Sequence, residues 1–415
     1  MKKLALVSAI SLAASGQAIA AGYKIPENSI NSMALSAAYV ANAHGADAAY
    51  YNPAAMVYNA PGASLEADLT LVHLTSINLA SGALAPDSTK VENIPVPSFH
   101  YVSPAMGDFR FGLSAVVPVG LTKRWKGGAA AFAEEFTLET LELNPSVGYR
   151  VNDQFSVGAG VRVIYSDGVV RSNNGAGTSR DLTGDSFDFG YNLAVHFKAT
   201  DRLALAATYR SKIDLTVEGD ANLTAALPPL LGGVRPPYNG PANVEIPAPA
   251  ALNLAAAYDI NDRTTLEFVY ERTYWSAYDQ LDFNYASSID PVVNVVFGTP
   301  LIKDWSDSNT YRIGLTHQVN PKWTVMAGFA YDETPVPKQF VGYELPDSDA
   351  KIFSFGAKYN YSDKLTVGAA LLYDQKDKLT IPPGVNAEAS NTLLGGATFD
   401  DAAAYLFTVG LEYKF

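Results

Sequence analysis

The sequence predicts an all-β fold, a transmembrane antiparallel β-barrel of about fourteen strands with an N-terminal plug, or hatch, in its lumen. Three observations predict it. Apolar and polar residues alternate over stretches far longer than the roughly 5–6 residues of a globular strand. The composition is charge-poor and aromatic-rich, with 17% charged residues, 24 Tyr and 19 Phe, and a mean hydropathy of only +0.02. Tight polar turns alternate with long Gly/Pro-rich connections, as short periplasmic turns alternate with outer loops in such barrels. A helical membrane bundle would need apolar runs of about 18 residues or more, and none occurs. So much aromatic surface also argues against disorder. The absence of cysteine excludes disulfides, thiolate metal sites, a Cys nucleophile and a lipid-anchored Cys.

The chain opens with Lys2 and Lys3, a short apolar stretch and the small-x-small triplet Ala18-Ile19-Ala20. This reads as a secretory signal peptide over residues 1–20, cleaved after Ala20. Losing those two lysines leaves 27 basic against 42 acidic side chains, a net charge of −15. Such acidity disfavours a nucleic-acid partner. Export with a β-type composition points to the outer membrane of a Gram-negative bacterium, with outer-membrane lipid and lipopolysaccharide as surroundings. A soluble periplasmic protein is the plainer alternative.

Residues 21–61 do not alternate. They are rich in Ala, Asn, Ser and Gly and carry Tyr39, Tyr50 and Tyr51, which suit packing inside the lumen better than a free tail. The barrel is expected over 62–415. Its strands start near residues 62, 93, 108, 134, 154, 184, 202, 247, 263, 304, 322, 347, 364 and 399. Along 187–197, Phe187, Phe189, Tyr191, Leu193, Val195 and Phe197 form one face against Asp188, Gly190, Asn192 and His196. Leu203, Leu205, Ala207 and Tyr209 continue into Ile213, Leu215 and Val217 as another expected lipid face. The last strand carries Tyr405, Phe407, Val409, Leu411 and Tyr413 and ends in Phe415. Tight turns fall at Asn152-Asp153, Asp201-Arg202, Asn261-Asp262, Asn320-Pro321-Lys322 and Ser362-Asp363-Lys364.

Between the turns lie loops too apolar for water-exposed chain. One contains Leu223, Leu227, Leu230 and Leu231. A second contains Val293 and Phe297. Either they capture an apolar ligand or they pack on one another as a cap. Arg162, Arg210, Lys212 and Arg312 fall on small or polar strand faces and are candidate partners for a carboxylate in the lumen. Mutual neutralisation by nearby acids is the plainer reading. No histidine pair, GxSxG, phosphate loop or dinucleotide fingerprint occurs, so no enzyme, metal or cofactor is expected. Gly158-x-Gly160 reads as small residues that clear room for the plug.

Ala21-Gly22-Tyr23, the stretch from Gly45 through Tyr50-Tyr51-Asn52-Pro53-Ala54, Leu143-Asn144-Pro145-Ser146 and the aromatic end resemble the long-chain fatty acid transport protein family of outer-membrane proteins. That family also includes aromatic-hydrocarbon channels. The resemblance implies a monomeric, fourteen-stranded barrel that passes hydrophobic small molecules. Ligand is caught by outer loops, enters a lumen pocket and leaves sideways at a kinked third strand beside the Asn-Pro-Ala element of the hatch. It implies a gate at Asn52, Pro53 and Ala54 with Pro118 and Gly120 in the third strand. A head-group cation near the end of the fifth strand falls at Ser172 here, with Arg171 one place before. The function expected is therefore passive transport of long-chain fatty acids or similar molecules. A general diffusion porin and a structural or adhesive surface barrel are the alternatives.

Overall fold

The computed structural model describes residues 22–80, 85–228, 233–385 and 394–415. Fourteen antiparallel strands form one closed ring. They are β1 (Ser64–Leu74), β2 (Glu92–Val102), β3 (Phe109–Val116, resuming at Leu121–Lys123), β4 (Glu135–Arg150), β5 (Phe155–Asn173), β6 (Ser179–Thr200) and β7 (Leu203–Arg210 and Ile213–Thr224). There follow β8 (Tyr238–Ala248 and Ala250–Asn261), β9 (Thr264–Tyr274), β10 (Ser308–Gln318), β11 (Trp323–Asp332), β12 (Ala350–Asn360), β13 (Leu365–Lys376) and β14 (Ala403–Lys414). Each pairs with the next, and β1 pairs with β14 from Ser64↔Lys414 to Leu74↔Ala404. Closure matters because lipid offers no partner to an open strand edge. The expected signal peptide lies outside the described residues.

The outward faces are those the alternation predicts. Phe187, Phe189 and Tyr191 on β6, Phe353 and Phe355 on β12, and Tyr405 and Phe407 on β14 are exposed apolar residues. Their neighbours Asn192, His196, Ser156 and Thr408 are buried in the lumen. The strand starts match closely, except for β8, which begins at Tyr238 and not near residue 247. Pro241, Pro247 and Pro249 hide its outer half from a reading by alternation, because proline signals an edge or a break.

One expected face is wrong. Leu205 faces outward, but Ile213, Leu215 and Val217 are buried. Arg210 pairs with Asn192 and Glu218 with Asp185, so residues 211–217 of β7 stand opposite 186–191 of β6. The extra residue acts as a bulge and turns the outer half of the strand over. Its apolar residues then join a core formed among the loops, with Trp125, Tyr238, Val244, Trp275, Val293 and Trp305.

The N-terminal residues press against the lumen faces of the strands. Two short helices lie here, α1 (Ile30–Ala34) and α2 (Ala48–Tyr51); α3 (Ala130–Ala133) and α4 (Pro291–Phe297) belong to the outer loops. Ser29 and Ser32 cap α1 reciprocally, and all five of its residues are buried. Strand glycines receive this segment. A Cβ at Gly356 would fall 2.5 Å from Ala34 Cβ, at Gly328 2.2 Å from the Leu35 carbonyl carbon, and at Gly158 2.5 Å from the Ala54 nitrogen. Gly160, expected to do the same, faces Asn192, Asn144 and Pro145. Polar ties fix the segment further. Glu267 accepts from the backbone N–H groups of Val40, Ala41 and Asn42 at 2.7, 2.6 and 3.2 Å. Arg312 donates to the Ser36 carbonyl at 3.0 Å.

Candidate functional site

The chain from Gly22 to Pro26 lies in the upper lumen. Tyr23 sits under the loop core with its ring centroid 4.8 Å from that of Trp275 and 5.8 Å from that of Trp305. Its hydroxyl donates to the Pro247 carbonyl at 2.5 Å. Below it is a cavity of about 80 Å³. Lys24, Ile25, Tyr50, Pro53, Pro118, Arg162, Arg210, Glu271 and Arg312 are among its lining residues.

Two ion clusters border this cavity. Arg162 donates from Nε to Glu142 Oε2 at 3.0 Å, and its Nη1 donates to the Ser211 carbonyl at 2.6 Å. Arg210 pairs with Glu142 Oε1 and lays its guanidinium 4.2 Å from the Tyr50 ring centroid. Two cations thus share one carboxylate. In the second cluster Lys24 meets Glu271 at 2.7 Å, while Arg312 lies 3.5 Å from Glu271 and 3.8 Å from Glu27. Here the charges balance. Among the described residues, the apolar remainder of the lining and the cation in excess over Glu142 suit a ligand with a greasy body and an anionic head.

The wall beside the cavity is interrupted at β3. The pairing of β2 with β3 runs only from Phe99↔Ala115 to Val102↔Gly112, so residues 92–98 have no partner in β3. Residues 117–120 leave the ladder and bond to the N-terminal segment instead. Ile25 N–H donates to the Pro118 carbonyl at 2.9 Å, Gly120 N–H to the Tyr23 carbonyl at 2.9 Å, and Val117 N–H to Asn28 Oδ1 at 3.1 Å. Opposite them β4 offers only residues 139–141, since Val116 pairs with Glu142 and Leu121 with Leu138. Pro118, which has no N–H for the ladder, sits within this break. Above the gap the bridge Thr89↔Trp125 closes the wall again.

Several expected site residues meet here. Pro53, Pro118, Arg162 and Arg210 line one cavity. Asn52 is fully buried and donates to the Val40 carbonyl at 2.9 Å, bracing the hatch on itself. Ala54 accepts from Ser156 Oγ at 2.7 Å, which seats the Asn-Pro-Ala turn on β5. Gly120 bonds to Tyr23, so the partner of the β3 break is the extreme N-terminal stretch rather than that turn. Arg171 lies elsewhere, half-exposed near the outer end of β5 and paired with Glu135 at 2.7 Å and Asp181 at 2.9 Å. Lys212 pairs with Asp214 at 2.8 Å, also away from the lining. Leu223, Val293 and Phe297 are buried in the loop core and Leu227 is half-buried, so these loops do cap the barrel by packing together. Leu230 and Leu231 lie outside the described residues. Sequence reasoning missed Lys24, Glu142 and Glu271. Glu142 follows Phe136, Leu138 and Thr140 on the lumen phase of β4, and a lone acid in that phase was the available signal.

A closed strand ring around an N-terminal insert, with an apolar cap outside and a cavity against a broken wall, defines an outer-membrane channel for small molecules. Residues 11–415 match the family described as outer membrane protein transport protein (OMPP1/FadL/TodX), and the chain belongs to it. It is 26% identical to the long-chain fatty acid transport protein of Escherichia coli O6:H1, covering 100% of this chain and 98% of that one. With outer membrane protein P1 of Haemophilus influenzae it shares 24% identity over both full lengths. Among solved structures, a Pseudomonas aeruginosa FadL homologue superposes with a TM-score of 0.79 at 21% identity, over 95% of this chain and all of that one. The Pseudomonas putida toluene transporter TodX gives 0.73 at 19% identity, over 94% and 99%. The chain is therefore an outer-membrane transport protein for hydrophobic substrates in a Gram-negative bacterium, and not an enzyme.

Proposed function

We propose that this protein carries amphiphilic hydrophobic molecules, long-chain fatty acids above all, from the cell surface to a lumen pocket and then sideways into the membrane at β3. The observation that carries this reading is the coincidence of the β3 break with the cavity: Pro118 and Val119 belong to both. A lateral exit suits the energetics. Each buried CH₂ is worth about 0.8 kcal/mol, so release of a long acyl chain into water would cost more than about ten. Release into lipid avoids that loss. The hatch acts as the gate, with Asn52, Pro53 and Ala54 as its seat and Pro118 and Gly120 as the strand side.

The outer loops supply first contact through Val234, Val295 and Val296, which remain exposed beside the packed Leu223, Val293 and Phe297. They keep the cargo clear of the lipopolysaccharide sugars. Arg162 and Arg210 receive the head group, which favours a carboxylate over the neutral hydrocarbon that the TodX-like relatives are named for. Cavity and wall break both belong to one chain, so the working unit of this reading is a single barrel.

The test is uptake of labelled oleate by cells lacking their own fatty-acid channel, with and without this protein. Restored uptake is expected, along with weaker uptake of labelled toluene. Oleate uptake at the background level, with the barrel present in the outer membrane, would overturn the fatty-acid reading.

A further inference from the structure

We propose a second lateral passage through the wall, between β6 and β7, with Ile213 as its stopper. The proposal rests on the reading of this protein as a carrier of acyl amphiphiles, and adds a route for the acyl chain between cavity and lipid.

The ladder between β6 and β7 is complete at both ends and missing in the middle. Thr200 to Asn192 pair with the inner half of β7, and Asp185 to Ser179 with the outer half. Residues 186–191 pair with no residue of β7, although on their other edge they pair without interruption to β5. Two polar links span the opening. The Ser211–Tyr191 pair exchanges hydrogen bonds at 2.9 and 3.0 Å, and Thr216 N–H donates to Asp188 Oδ2 at 3.3 Å. Tyr191 turns its backbone groups toward β7, so by alternation Phe187 and Phe189 do too, into the opening. Unpaired backbone at the outer edge of the hydrocarbon is costly. The opening starts about ten residues above the periplasmic turn, close to the length that spans the hydrocarbon, and the β3 break lies about as far above its own turn.

The outer side of this opening is apolar and the inner side is mixed. Outside, Phe187 and Phe189 are 61% and 69% exposed. Inside, the cavity is lined by the lumen-facing Asn192 and Arg210 and also by Leu193 and Tyr209, which belong to the lipid face, so it reaches the wall at the lower lip. What separates the two sides is Ile213. Its side chain lies on Gly190, where a Cβ would come within 2.6 Å of Ile213 Cδ1. Ser211 Oγ shares that contact at 2.7 Å, and no ladder bond holds Ile213 to β6. Arg162 grips the Ser211 carbonyl at the inner lip, at 2.6 Å. A carboxylate held by Arg162 therefore places its acyl chain at the opening.

The absence of cysteine allows each opening to be locked by a disulfide. F187C/T216C, two positions on from the Glu218↔Asp185 pair and with both side chains on the outer face, closes the β6–β7 opening, and S98C/V116C closes the β2–β3 gap at the next position of its register. Protein in phosphatidylcholine vesicles is exposed to palmitate carrying a photoreactive group at its chain end, and adducts are mapped by mass spectrometry. Expected are adducts at Ile213 that persist when β2–β3 is locked, vanish when β6–β7 is locked, and return on reduction. If the β2–β3 lock alone abolishes them, the second passage is overturned while lateral transport stands. Persistence under the β6–β7 lock also overturns it and leaves the bulge as a device for turning β7 over. No lumen adduct in the unlocked protein would overturn both readings.

Discussion

Arg162 and Arg171 lie on one strand and differ in company. Arg162 is buried against Glu142, whereas Arg171 stands in solvent between Glu135 and Asp181. Breaking a buried pair strands the partner's charge and costs about 3–5 kcal/mol, while an exposed pair contributes about 0–1. Glu142→Gln, which strands both Arg162 and Arg210, is accordingly expected to destabilise the barrel by about 3–5 kcal/mol in detergent-urea unfolding, and Arg171→Met by about 1 at most; equal effects would contradict the burial difference. Replacing Arg162 should also weaken palmitate binding at least tenfold and leave decane binding unchanged. The phase of Arg162 and Arg210 was legible in the sequence because strand alternation puts them inside. Their shared partner was not, since Glu142 reaches Arg162 diagonally from the neighbouring strand and Arg210 from 68 residues away, and neither relation leaves a periodic trace. The choice of Arg171 followed a resemblance in position, and near the outer end of β5 position says little about environment.

At the scale of elements, the glycines under the hatch carry the clearest consequence. Gly158 leaves no room for a side chain beside Pro53 and Ala54. Gly158→Val is expected to lift the Asn-Pro-Ala turn from its seat while the strands still close. The readout is unchanged heat-modifiable migration of the barrel together with raised ion conductance in a planar bilayer; conductance at the wild-type level would argue against the seat. The helix α4 offers a second test. Asp290 caps it by accepting from Val292 and Val293 at 2.9 and 3.3 Å, and Arg235 binds the same carboxylate at 2.6 Å. Asp290→Ala should cost about 1 kcal/mol and be read as faster proteolysis within residues 285–300. Alternation located nearly every strand, because lipid outside and a polar lumen inside impose a strict period of two. It failed on β7 and β8, where one added residue and a set of prolines change the face without changing the pattern's appearance.

For the whole molecule, the ring and its insert should behave as separable layers. The fourteen strands close on themselves through β1 and β14, and Phe415 N–H adds a bond to the Ala63 carbonyl at 3.0 Å. Deleting the hatch from a refolded barrel, as a chain lacking residues 26–58, is expected to leave a heat-modifiable barrel with steady ion current. The intact protein should pass little. A large steady current through the intact protein would favour the porin alternative. The overall architecture was legible because composition, turn rhythm and terminal strand all agree. The two wall openings were not, because a missing ladder is a relation between strands that neither strand displays alone.

Gly22 has a positive φ of +70°, and a Cβ on it would lie 2.5 Å from the Trp275 ring. Its N–H reaches Asp347 at 3.2 Å. The first described residues thus occupy a fitted berth high in the lumen. A tag placed at that end has to be accommodated beside Trp275, whereas Phe415 at the other end is exposed.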